Sequence, residues 1–95
     1  MQHTYYVYIM TNKPYGVLYV GITGDIVTRA SQHKQSLVDG FAKKYKLNKL
    51  VYYEAYDNPY DAIQREKRVK EWHRAWKIEL IQRENPGWKN LGDEF

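Results

Sequence analysis

Tyr6-Val7-Tyr8-Ile9, Thr11-Asn12-Lys13-Pro14-Tyr15-Gly16 and Leu18-Tyr19-Val20-Gly21 read in succession as strand, turn and strand. The alternation places Val7, Ile9, Leu18 and Val20 on one face, where they can form a core, and turns Tyr8 and Tyr19 to the opposite face. The six residues between the strands are rich in turn formers, so the two strands are predicted to close as an antiparallel hairpin with a longer loop. Such a hairpin brings the two phenols together.

Downstream, Gly24-Asp25 offers a turn and an N-cap for a helix to about Leu37, with Ile26, Ala30, His33 and Leu37 on one stripe and Arg29 at its edge. Residues 40–45 read as a connector or short helical turn. Leu50 to Tyr56 is a third strand, built from β-branched and aromatic residues. Asn58-Pro59-Tyr60-Asp61 has the signature of a helix start, with Asn58 as cap and Pro59 in the first turn, and that helix should run to about Trp72. A last helix is expected from Ala75 to Glu84 with Trp76, Leu80 and Ile81 inward, stopped by Asn85-Pro86-Gly87. The order β-β-α-β-α-α predicts an α+β fold: a small, three-stranded, mainly antiparallel sheet flanked by helices. Residues 1–95 are read as one domain, with 86–95 as a C-terminal tail.

Composition narrows the function. With 95 residues there is room for one core, and with no cysteine there is neither a disulfide framework nor a thiolate metal site. No apolar run resembles a signal sequence or membrane span, so a soluble cytoplasmic protein without membrane partners is expected. A formal charge of +4 and a pI near 9.2 favour polyanionic partners. Lys43, Lys44, Lys46 and Lys49, then Lys67, Arg68, Lys70, Arg74 and Lys77, could form a track for a phosphate backbone, although Asp61, Glu71 and Glu79 interrupt it. Trp72 and Trp76, four apart, are read as core anchors rather than base-stacking residues.

One carboxylate stands where charge is expensive. On the helix after the third strand, Glu66 shares a face with Ala62, Ile63 and Val69. It therefore needs an ion-pair partner such as Arg29 or a lysine, a metal, a proton, or a place at the rim of a cavity. Arg29 and His33 are four apart on their helix and project side by side. Arg29 is suited to clamping a phosphate; His33 could donate to phosphate, move a proton, or simply be a satisfied core histidine. His3 and His73 lack zinc-site spacing. No glycine-rich phosphate loop or Ser/His/Asp order is present.

Tyr6-Val7-Tyr8, Tyr19-Val20-Gly21, Arg29, His33 and Glu66, in that order, resemble the GIY-YIG nuclease superfamily, and in particular its small stand-alone members. The resemblance spans most of the chain. It implies a single-metal phosphodiesterase site in which Tyr8 and Tyr19 match the motif tyrosines, Arg29 the helix arginine, His33 a histidine common among members, and Glu66 the metal-binding glutamate. Asn90 is a possible match to a C-terminal asparagine of some members. Two departures stand out: Tyr6 replaces the leading glycine of the first motif, and Ile22 replaces a lysine that some repair nucleases carry after the second. The implied activity is metal-dependent hydrolysis of DNA with Mg²⁺ or Mn²⁺, one carboxylate sufficing because Mg²⁺ retains waters and takes ligands from substrate phosphate. One tyrosine would serve as general base and the other as an orienting donor. Target choice would come from nucleic-acid shape or a protein partner. The competing readings are a non-catalytic or weakly catalytic nucleic-acid-binding module on the same scaffold, and an interaction protein that has kept a nuclease fold.

Overall fold

A computed structural model describes residues 3–35 and 40–95. Strands β1 (Tyr5–Thr11), β2 (Leu18–Thr23) and β3 (Lys49–Tyr56) form one antiparallel sheet in the order β2-β1-β3. The helices are α1 (Ile26–Lys34), the single turn α2 (Phe41–Lys44), α3 (Pro59–Glu71) and α4 (Arg74–Glu84), followed by a 3₁₀ turn at Leu91–Glu94. This is the expected α+β order. The expected Leu37 contribution to the α1 stripe lies outside the described residues.

Local chemistry sets the helix starts. Asp25 caps α1 by accepting from the Thr28 amide at 3.1 Å and the Thr28 hydroxyl at 2.7 Å. Asn58 caps α3 through the Tyr60 amide at 2.8 Å, with Pro59 opening the helix.

Both faces of the sheet are covered, which gives three layers. Val7, Ile9, Val20, Val51 and Tyr52 pack under α3 and α4 through Ala62, Val69, Leu80 and Ile81, with Trp88 completing that core. On the other face Tyr8 and Met10 pack with Ile26 and Ala30 of α1, Ala42 of α2, Leu47 and Leu50. A bulge sits between the pairs Ile9/Tyr52 and Met10/Leu50, so the extra residue Val51 shares the face of Tyr52. The Val51 carbonyl accepts from Asn85 Nδ2 at 3.0 Å, and the Leu50 amide donates to Asn90 Oδ1 at 3.0 Å. The C-terminal segment thus blunts the outer edge of β3.

Two expected core positions are exposed. Trp76 is 54% exposed; it lies one turn before Leu80, beyond the surface Leu80 reaches, and packs edge-on against Trp72 and His73. Ile63 is also exposed, because the buried line of α3 runs through Ala62 and Val69 and leaves Ile63 at its margin.

Candidate active site

The register explains how the two phenols meet. Tyr8 lies opposite Gly21 and Met10 opposite Tyr19, so Tyr8 and Tyr19 are diagonal neighbours on one face. Their ring centroids are 6.3 Å apart. Gly21 makes the approach possible: a Cβ there would stand 2.5 Å from the Tyr8 hydroxyl oxygen and 2.9 Å from Tyr19 Cε1. The face they occupy is itself a core, and Tyr8 is only 2% exposed, whereas Tyr19 is half-buried. The phenols therefore sit beneath α1.

His33 completes a triangle of rings, 6.0 Å from Tyr8 and 6.1 Å from Tyr19. Its Nδ1 lies 3.1 Å from the Leu47 carbonyl, and a carbonyl only accepts, so Nδ1 carries the proton of the neutral ring. Nε2 is left as a lone pair, buried and without a partner among the described residues. Burial holds the imidazole below its ordinary pKa, and the Arg29 charge acts in the same direction, against the pull of the Leu47 carbonyl. The satisfied core histidine is thus realised at one nitrogen only.

Arg29, one turn before His33, is half-buried and forms no ion pair among the described residues. Glu66 is nearly buried, its side chain 14% exposed, and pairs with Lys70 at 3.3 Å rather than with Arg29. The groups converge electrostatically on Tyr8. Burial pushes its phenol well above the ordinary value, Tyr19 adds to the rise, the Arg29 charge opposes it, and the Glu66 carboxylate again raises it. The ring contacts bring Tyr8, Tyr19 and His33 together, Arg29 stands one turn before His33 on α1, and Glu66 is carried by α3, whose core residues pack on the other face of the sheet.

Among the described residues no three His, Cys, Asp or Glu side chains cluster as metal ligands. The donor set is a single carboxylate whose competitor is a half-exposed lysine, which fits Mg²⁺ or Mn²⁺ holding several waters and unsuits the site to zinc.

Residues 4–79 match the GIY-YIG catalytic domain. The chain belongs to the GIY-YIG family. This is a family of nucleases, acting in general on nucleic acids. A UPF0213 protein of Staphylococcus saprophyticus is 34% identical over 77 residues, covering 81% of this chain and 93% of that one. A UPF0213 protein of Pediococcus pentosaceus is 28% identical over 74 residues, covering 78% of each. The solution NMR structure of a UPF0213 protein from Bacillus halodurans superposes with a TM-score of 0.59 at 26% identity, covering 93% of both chains. The α+β fold expected from the sequence is thus that of a small GIY-YIG protein.

Within this GIY-YIG domain the basic track is shorter than its sequence suggests. Arg74 donates to the Tyr15 carbonyl at 2.5 Å and Lys77 to the Lys70 carbonyl at 3.1 Å, so both serve the fold. Asn90 likewise caps the 3₁₀ turn and holds β3. Glu54 is a further half-buried carboxylate that composition and charge pattern do not single out. On the α3 side of the sheet its carboxylate accepts from Tyr52, from Tyr56 at 2.8 Å and from Arg65 Nε at 2.6 Å, while Arg65 lies 5.0 Å from the Trp72 ring. Burial alone would raise its pKa, but the hydrogen bonds outweigh burial and hold the carboxyl below its ordinary value. The available signal was Tyr52-x-Glu54-x-Tyr56, a carboxylate on a strand's inward face. Since Glu66 follows Arg65 directly, this network also anchors the helix that carries Glu66.

No helix of the described residues is long and apolar enough to cross a membrane.

Proposed function

We propose that this chain is a metal-dependent endonuclease that hydrolyses DNA phosphodiester bonds. The reading rests on one observation: Tyr8, Tyr19 and His33, from β1, β2 and α1, close a triangle of rings with centroids 6.3, 6.0 and 6.1 Å apart, one helical turn from Arg29. Phosphodiester hydrolysis needs a base for water, positive charge on the phosphoryl oxygens, and groups that fix the geometry. Arg29, without an ion pair among the described residues, is the phosphate clamp. Tyr8 is the general base, its ring being enclosed by those of Tyr19 and His33. Tyr19, half-buried at the rim, orients the water or a phosphate oxygen. His33, neutral with Nδ1 committed to Leu47, offers Nε2 as an acceptor that fixes a neighbouring hydroxyl. Glu66 would hold Mg²⁺ or Mn²⁺, which when bound neutralises phosphoryl charge and reverses the local penalty on a phenolate.

A phenol with a raised pKa is protonated at neutral pH, so its basic form grows with pH. The cleavage rate is expected to rise about tenfold per unit between about pH 6 and about pH 9. Tyr8→Phe should lower the rate by at least about 100-fold across that range and flatten the profile. A Tyr8→Phe enzyme with the wild-type rate and slope would refute the assignment.

The Glu66–Lys70 ion pair favours a second reading, a non-catalytic nucleic-acid-binding module in which Glu66 is structural. That reading requires salt-dependent DNA affinity that survives Glu66→Ala, with no cleavage of any nucleic acid by the wild type.

A further inference from the structure

The aromatic surface of the site continues past Tyr19. Its ring stacks toward Phe41 at 6.5 Å with only 28° between the planes, and Phe41 lies 4.7 Å from Tyr45. Both outer rings stand in water, Phe41 49% exposed and Tyr45 38% exposed. The fold needs little from this turn: α2 contributes Ala42 to the core, and Leu47 follows it inward. Core packing among the described residues therefore does not account for two large aromatic side chains beside the candidate active site. Lys43, Lys44 and Lys46 are exposed around them, and Lys44 Nζ lies 5.4 Å from the Tyr45 ring. Rings interleaved with ammonium groups are complementary to one ligand chemistry, a base with its phosphates, because every base has a π-face and every linkage a negative charge.

We infer that Phe41 and Tyr45 form a stacking platform for an unpaired base next to the phosphate held by Arg29, while Lys43, Lys44 and Lys46 take the adjoining backbone phosphates. The inference rests on the nuclease reading for its placement beside a scissile phosphate. In a duplex both faces of a base are covered by its neighbours, so stacking on a protein ring requires unstacking that costs a few kcal/mol. The platform thus selects DNA with unpaired nucleotides at the cut.

The test is fluorescence anisotropy of labelled oligothymidylate, about 12 nucleotides long, against a duplex of equal length, in excess chelator so that neither metal nor cleavage enters. Phe41→Leu and Tyr45→Leu should each raise the Kd for the single strand about tenfold and change that for the duplex less than about twofold. An unchanged single-strand Kd, or an equal loss on both ligands, would overturn the platform. If the leucine variants fail to fold, Phe41→Trp carries the test: its indole emission should be quenched by the single strand and not by the duplex, and no quenching refutes the inference. Cleavage by the wild type in Mg²⁺ without this discrimination would overturn the platform and leave the hydrolytic site standing. Discrimination without cleavage would do the reverse.

Discussion

At Gly21 a methyl group would lie 2.5 Å from the Tyr8 hydroxyl oxygen and 2.6 Å from the ring carbon bearing it. Both atoms belong to a ring packed in the core, so relief requires moving Tyr8 or parting β1 from β2. Overpacking of this kind costs about 1–3 kcal/mol, and small displacements of a reacting group cost about 100-fold in rate. Gly21→Ala should therefore fold, unfold at lower denaturant, and cleave about 100-fold more slowly than wild type. Equal cleavage rates would mean that the Tyr8 position does not matter. The placement of Tyr8 and Tyr19 was legible from the alternation of two short strands. What alternation could not convey is that the opposite face is also a core, covered by α1, so that Tyr8 is buried. Nor could a residue without a side chain advertise the space it provides. Trp76 shows the reverse difficulty: its helical spacing matches Leu80, yet exposure depends on where the neighbouring surface ends.

The elements most easily read were those with chemical punctuation. Asp25, Asn58 and Pro59 announce helix starts, and the structure uses each as such. Contacts between distant elements were hidden, because they depend on which edges tertiary folding brings together. Asn85 stops α4, and its side chain also donates to the Val51 and Lys89 carbonyls and accepts from the Lys89 amide. Asn85→Ala removes these three hydrogen bonds and leaves buried backbone groups unpaired. At about 1 kcal/mol per bond, urea unfolding should show a loss of about 2–4 kcal/mol. A loss below about 0.5 kcal/mol would show that the C-terminal segment does not secure β3. The Glu54–Arg65 pair holds α3 against the same strand; the alternation Tyr52-x-Glu54-x-Tyr56 marks the carboxylate, but nothing in the sequence marks Arg65 as its partner.

Over the whole molecule, the candidate site draws on all three layers. The middle layer supplies Tyr8 and Tyr19, α1 supplies Arg29 and His33 from one side, and α3, packed across β1 and β2 from the other, supplies Glu66. A site assembled from four elements would lose its geometry if any one of them shifted, and the Glu54–Arg65 pair pins α3 to the sheet against such a shift. The order of the motif residues was legible in the sequence; the Lys70 partner of Glu66 and the aromatic continuation through Phe41 were not, because both depend on side-chain directions in the folded chain. In the proposed function, phosphodiester hydrolysis depends on the Glu66 carboxylate. The most direct test of that dependence is the initial rate of DNA cleavage in Mg²⁺, at fixed low salt, for wild type and Glu66→Ala on duplex, branched and single-stranded substrates. The expected result is cleavage by the wild type that chelator abolishes and that falls by at least about 1,000-fold in Glu66→Ala, while DNA affinity is retained. Equal cleavage by the two proteins, or cleavage that persists in excess chelator, would contradict it.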